Sequence, residues 1–218
     1  MLVERSMHPD WLSNAYLVAD REGGQGVFVD SGAPLEPLLA AADRWRVEPE
    51  CVLRTHAHHD HVEHERELGL PVRTDSLDVG GLRIEAIPTP GHSDDMVAFV
   101  VNDEIVFTGD TLFKDSVGGG EVDGVRRSVM DVLLGLPDDT RVLPGHTDET
   151  TIGREREQNP FVRYWRGLEE GSGRCNVSGE EATLVVWSPD YDGKGKALVR
   201  FGDGREAIVG GSRVVRAG

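Results

Sequence analysis

Residues 55–61 read Thr55-His56-Ala57-His58-His59-Asp60-His61 and follow directly on the apolar segment Cys51-Val52-Leu53-Arg54. Neutral imidazole and carboxylate are the ligands that divalent metals such as zinc select. A strand that ends in a loop can aim several of them at one point. So short a run seldom surrounds two metals and still leaves room for a substrate, so it reads as half of a metal site. The other half should lie further along the chain.

Three later places supply it: Pro90-Gly91-His92, Gly109-Asp110 and Pro144-Gly145-His146. Each follows a strand-like segment, respectively Leu82-Arg83-Ile84-Glu85-Ala86-Ile87, Glu104-Ile105-Val106-Phe107 and Thr140-Arg141-Val142-Leu143. Each reaches its polar residue through Gly or Pro, which punctuate strand ends. Four strand ends thus deliver the candidate ligands His56, His58, Asp60, His61, His92, Asp110 and His146. In open α/β architectures, sites form outside the carboxyl ends of strands, which is where this pattern puts them.

The pattern resembles the metallo-β-lactamase superfamily, whose motif is His-x-His-x-Asp-His followed by a distant His, an Asp and a last His. Within it the chain looks most like the glyoxalase II (hydroxyacylglutathione hydrolase) branch, through residues 55–61, Phe-Thr-Gly-Asp-Thr-Leu-Phe (107–113) and Leu-Pro-Gly-His (143–146). The resemblance covers roughly the first three quarters of the chain, and all seven metal positions are filled. It implies an α/β fold, the four-layer αββα sandwich, over residues 1–168; beyond it, alternating segments read as a small antiparallel β module at 175–218, where glyoxalase II has a helical region.

The resemblance also implies a chemistry. His56, His58 and His92 would hold one divalent metal, and Asp60, His61 and His146 a second, with Asp110 bridging. Zinc is the expected metal, with iron or manganese as substitutes. Two cations sharing a water lower its pKa from about 15.7 toward neutrality, giving a hydroxide nucleophile that Asp60 and Asp110 help to place. The expected activity is hydrolysis of a small-molecule ester or, preferentially, an acyl thioester. Asp30, in Asp30-Ser31-Gly32, matches an Asp-x-Gly element expected to orient a ligand imidazole from behind. In glyoxalase II the loop after the bridging Asp carries Lys and Tyr residues for glutathione. The matching positions here are Gly119 and Glu121, and Lys114, Arg126 and Arg127 are the cations left to take that role. Persulfide dioxygenases, which use a single iron, resemble the chain through His56, His92 and Asp110 but carry a Gly-Arg-Thr-Asp-Phe-like stretch where this chain has Gly-Glu-Val-Asp-Gly (120–124). That oxidoreductase is the alternative reading, and a catalytically silent metal scaffold is a second.

Composition narrows the classes further. The net charge of −16 disfavours contact with phosphate backbones and hence nucleic-acid partners. No apolar run of about 18 residues and no basic-then-apolar start is present, so neither membrane insertion nor secretion is expected and a cytoplasmic protein is the default. Cys51 and Cys175 are expected to be reduced thiols.

Along the chain, residues 14–19 and 26–30 read as a hairpin, and 34–46 as an amphipathic helix with Leu35, Leu38, Leu39, Ala42 and Trp45 on its inner side. A second helix is expected over 61–68. His59 and His64 are expected at the surface, and Ser93-Asp94-Asp95 as a cap rather than as ligands. The Gly-rich stretch 111–124 is expected to be a mobile loop over substrate, followed by a helix with Val129, Met130, Val132, Leu133 and Leu136 as its stripe. Residues 169–174 read as a linker, and three strands at 182–187, 196–201 and 206–209 as a module without chemistry of its own.

Overall fold

Strand Asn14–Ala19 is buried along its whole length and Ile105–Gly109 likewise, so both faces of each must be covered. The computed structural model, which describes residues 1–171 and 173–216, shows how. One five-stranded sheet runs in the order Leu2–Met7, Asn14–Ala19, Gln25–Val29, Glu48–Leu53, Val72–Arg73. A six-stranded sheet runs Thr150–Thr151, Arg141–Pro144, Ile105–Gly109, Val97–Val101, Leu82–Pro88, Leu77–Val79. Tyr16, Val18, Val29 and Leu53 of the first meet Ile84, Phe99, Phe107 and Leu143 of the second in one apolar layer.

The outer faces are closed by helices. Ala15, Leu17, Phe28 and Val52 pack on Leu38 and Ala41 of helix Glu36–Trp45. On the far side, Ala98, Val100, Val106 and Val142 pack on Val125, Val129, Leu133, Ile152 and Phe161. The result is an αββα sandwich. Each fully buried Leu, Val or Phe contributes about 1.5–3 kcal/mol, so these three layers carry most of the stability.

Several details depart from the sequence reading. Leu39 is 43% exposed, so the inner stripe of the first helix runs instead through Leu35, Leu38, Ala41 and Ala42. The expected helix over 61–68 is two short ones, His59–Val62 and Glu65–Leu68. Their junction is broken because the loop after Asp30 takes the backbone groups: Ser31 N–H donates to His61 O (2.8 Å) and His64 N–H to Ser31 O (3.1 Å). Gly32 is required at this crossing, since a Cβ there would stand 1.6 Å from Asp60 O. The helix after the Gly-rich stretch starts at Val122, widens into a π-helical turn over Ser128–Val132 and ends in a 3₁₀ turn at Leu133–Gly135. Strand Leu2–Met7, whose charged Glu4 and Arg5 gave it no strand signature, lies on the sheet edge.

The C-terminal part is larger than three strands. Its sheet runs Glu206–Gly210, Lys196–Phe201, Glu180–Ser188, Gly173–Val177, Val214–Arg216, all antiparallel. Strand Gly173–Val177 begins inside the expected linker 169–174. Position 172 of that linker and the final positions 217–218 of the expected module lie outside the described residues. Cys175, Val177, Val199, Phe201 and Val209 form a cluster of the sheet's own. Val186, Leu198 and Ile208 instead join the layer over the six-stranded sheet.

The Gly-rich stretch, expected to be mobile, is pinned by this docking. Gly120 bridges Ile208, Lys196 Nζ donates to Val117 O (3.0 Å), and Ser188 Oγ meets Ser116 Oγ (3.0 Å). Glu121 N–H donates to Gly91 O (2.8 Å) at its far end. Cys51 and Cys175 are free and buried in separate clusters, as thiols were expected to be. Among the described residues no helix is long and apolar enough to cross a membrane.

Candidate metal centre

The 55–61 loop takes its shape from one carboxylate. Asp30, buried and at φ +54, accepts from Thr55 N–H and Thr55 Oγ1–H, each at 2.8 Å, and its Oδ2 lies 2.8 Å from His61 Nδ1. Asp tolerates this left-handed backbone better than most residues. From the other side, Asp95 Oδ2 accepts from Ala57 N–H (3.0 Å) and Asp95 Oδ1 from Ser93 Oγ–H (2.7 Å), so Asp95 caps a loop amide.

So held, the seven strand-end residues converge in two groups. In the first, His58 Nδ1 stands 3.0 Å from His56 Nε2 and 2.9 Å from His92 Nε2. In the second, Asp60 Oδ2 stands 3.7 Å from His61 Nε2 and 3.5 Å from His146 Nε2. Asp110 lies between them. Its Oδ1 is 3.3 Å from His61 Nε2, and its Oδ2 is 3.4 Å from His146 Nε2 and 3.6 Å from His92 Nε2. Both groups have ligand atoms close enough to share an ion. His61 Nε2 and Asp110 Oδ1 are fully buried with no hydrogen-bond partner among the described residues. Orphaned buried polar atoms of this kind are costly, and a divalent cation among them satisfies both, so the residues present fit a metal.

The nitrogens facing away are fixed too. Thr55 Oγ1 holds His56 Nδ1 (3.0 Å), Gly119 O accepts from His92 Nδ1 (2.8 Å) and Leu12 O from His146 Nδ1 (3.0 Å). Such partners set the tautomer and orientation of a ligating imidazole. The loop carrying His146 is itself strapped to the first sheet: Asn14 Nδ2 donates to Pro144 O (3.0 Å) and Thr147 O (2.9 Å), and Tyr16 O–H to Pro144 O (2.7 Å). Gly145 is needed beside it, because a Cβ would come within 2.3 Å of Asp110 Oδ1.

Electrostatically the two groups differ. Burial, reinforced by the His61 imidazole, pushes His56 down to about 4. Burial also lowers His92. Burial works against charge on His61 and His146 as well, but there the Asp110 carboxylate wins, holding His61 well above the usual range and pushing His146 up to about 9. Asp110, despite its burial, is held well below the usual carboxylate range by His146 and His61. The second group therefore favours positive charge at its centre, whether that charge is a proton or a metal.

Other candidates take different places. Gly119, expected beside the substrate, contributes its carbonyl to His92 instead. Glu121 caps helix Val122–Arg127 by accepting from Asp123 and Gly124 N–H. Arg126 and Arg127 line a separate cleft with Asp123, Met130 and Asp131. Lys114 lines a cleft of 290 Å³ with Met7, Thr147, Asp190 and Tyr191, and it has no ion-pair partner among the described residues. His59 is exposed, edge-on to Trp11 (5.0 Å), and His64 pairs with Glu63 and Glu67. What the sequence reading missed is Tyr191, which stacks on His146 with ring centroids 3.9 Å apart. Its one signal was an aromatic residue in the turn Pro189-Asp190-Tyr191-Asp192-Gly193, and nothing in the pattern said which surface that turn would meet.

Comparison with known proteins relates the chain to one superfamily. The sequence model of the metallo-β-lactamase superfamily matches residues 67–146. An uncharacterised protein of Mycobacterium tuberculosis is 34% identical over an alignment covering 68% of this chain and 92% of that one. A hydroxyacylglutathione hydrolase of Haemophilus influenzae is 26% identical with the same coverage, 68% and 92%. The crystal structure of ETHE1 from Myxococcus xanthus superposes with a TM-score of 0.64 at 28% identity, covering 74% of this chain and 84% of that one.

Proposed function

The chain belongs to the metallo-β-lactamase superfamily, and from that premise we propose that it is a binuclear metal-dependent hydrolase of an acyl thioester, with zinc as the expected metal. The observation that carries the reading is Asp110: its two oxygens reach toward His61 and His146 on one side and His92 on the other, as a bridging carboxylate between two cations must. The His56, His58 and His92 group would hold one ion and the Asp60, His61 and His146 group the other. Two divalent cations held there would supply Lewis acidity, making a bound water easier to deprotonate and offsetting negative charge on a substrate carbonyl oxygen.

The protein's own residues do the rest. Asp30, the Leu12 carbonyl and the Gly119 carbonyl keep the ligand rings from turning, so the site is organised before substrate arrives. The leaving thiolate of a thioester is a modest base and needs little protonation, which suits a site where Asp60 and Asp110 would be taken up by ligation and Asp30 and Asp95 by holding the 55–61 loop. Lys114, in the cleft beside Tyr191 and Thr147, would be the cation that draws a carboxylate-bearing substrate into a chain of net charge −16. The hydroxyacylglutathione hydrolase relative supports the thioester class. The likeness to ETHE1 keeps the mononuclear-iron oxidoreductase as a second reading.

The test is metal content per chain together with a panel of acyl thioesters. About two ions per chain, with hydrolysis that Asp110→Ala lowers by more than about a hundredfold, is the expected result. One iron per chain with persulfide-dependent oxygen uptake and no thioesterase activity selects the second reading.

A further inference from the structure

We propose that the C-terminal sheet is a working part of the metal centre: Tyr191, in the turn between strands Glu180–Ser188 and Lys196–Phe201, is a positioning residue that fixes the imidazole of His146. This rests on the reading above, in which His146 holds one of two metals.

The geometry is specific. The rings of Tyr191 and His146 lie 3.9 Å apart and 11° from parallel. Phe113 stands edge-on to both, at 5.7 Å and 88° to His146 and at 6.0 Å and 87° to Tyr191. On its own, the bond from His146 Nδ1 to the Leu12 carbonyl fixes one atom of the ring and leaves its tilt free. A flat aromatic face on one side and an aromatic edge on another remove that freedom, so the opposite nitrogen, Nε2, stays aimed at Asp60 and Asp110.

The turn that brings Tyr191 here is anchored as a device of its own. Lys196 is 7% exposed; its ammonium pairs with Asp190 (3.3 Å), donates to Val117 O (3.0 Å) and lies 5.0 Å over the Phe113 ring. A buried cation is expensive unless fully partnered, and this one links three elements: the turn, the stretch after Asp110 and the strand behind Tyr191. Val186, Leu198 and Ile208 then seat the whole sheet on the layer over the six-stranded sheet. A module whose only task was its own folding would have no need of a buried ion pair beside His146.

The experiment titrates zinc into chelator-stripped full-length protein against a competing chromophoric chelator, for the wild type, Tyr191→Ala, Tyr191→Phe and His146→Ala. The expected result is two sites in the wild type. In Tyr191→Ala the site that His146→Ala abolishes weakens by about tenfold while the other stays within about twofold. Tyr191→Phe, which keeps the ring, stays within about twofold at both. Thermal unfolding of the metal-free variants checks the fold. If Tyr191→Ala does not fold, Tyr191→Leu, which keeps bulk without a flat face, is expected to show the same one-site loss. Wild-type affinity at both sites in the Ala or Leu variant, equal weakening of both sites, or a Phe variant as weak as Ala overturns the proposal while leaving the binuclear reading intact. A wild type that binds a single metal overturns that reading and this inference with it.

Discussion

His56, His58 and His92 meet on the outer side of the site, where His56 is buried but His58 is exposed and its outer nitrogen has no partner among the described residues. Asp60, His61 and His146 meet below, where His61 and His146 are almost wholly buried and each ring is braced from behind, by Asp30 in one case and by Leu12 and Tyr191 in the other. Each half takes two ligands from the 55–61 run and one later histidine, His92 in the outer half and His146 in the inner one. The inner half is distinguished by what backs it: Asp30 behind His61, and Leu12 and the C-terminal turn's Tyr191 behind His146. On the proposed reading, the outer half would offer a coordination edge to solvent and substrate, and the inner half the rigidity that catalytic geometry requires.

This contrast can be broken most severely at Asp30. Asp30→Asn keeps the size of the side chain but cannot accept from His61 Nδ1 and both Thr55 donors in the same way. The inner site is expected to lose about 10–100-fold in zinc affinity while the outer site changes little, read in the same competition titration. Equal loss at both sites would mean that Asp30 supports the loop as a whole rather than one imidazole.

Protons sharpen the contrast without a mutation. Metal-free His146 sits at about 9, so below that pH it carries a proton that a metal must displace, whereas His56, at about 4, is already neutral above pH 5. Zinc affinity of the site holding His61 and His146 should therefore rise as pH increases from about 6 to about 9, because a metal must displace a proton there. Calorimetry at pH 7.5 in buffers of different ionisation heat should count at least about one proton released at the site holding His146. The sign also holds for the fold. The raised His146 pKa stabilises the metal-free chain fully below its unfolded value of about 6.5, and that stabilisation is lost as pH rises through about 9.

The smallest effect is expected at His59, within the motif run yet pointing at Trp11 rather than at either group. His59→Ala should leave metal content and hydrolysis within about twofold. A loss of one metal there would move His59 into the outer half.

The seven converging residues were legible because each ends a strand and is introduced by Gly, Pro or a dense polar run, a local signal that survives without any knowledge of packing. Asp30 was legible only through the Asp-x-Gly resemblance. The Leu12 and Gly119 carbonyls were not, since every residue has a backbone carbonyl and only folding selects the ones that face a histidine. The helix expected over 61–68 fails for a related reason: its spacing is helical, but Ser31 competes for its backbone groups from thirty residues upstream. Tyr191 lay outside reach because its meeting with His146 depends on which face of the C-terminal sheet docks. That choice is made by Val186, Leu198 and Ile208 against residues of other layers.

The straps from Asn14 and Tyr16 to Pro144 join positions 128–130 residues apart, around the inner half of the centre. Closing so long a loop costs entropy that grows as about (3/2)RT ln n and has to be met before those hydrogen bonds form. During synthesis the imidazole-rich 55–61 run leaves the ribosome long before its partner at His146. Until the chain ends meet across the sandwich, that run is a loose chelating peptide with no socket beneath it. The centre is therefore expected to form late in folding, and metal supplied after the chain has collapsed is expected to fill it more completely than metal present from the start of refolding.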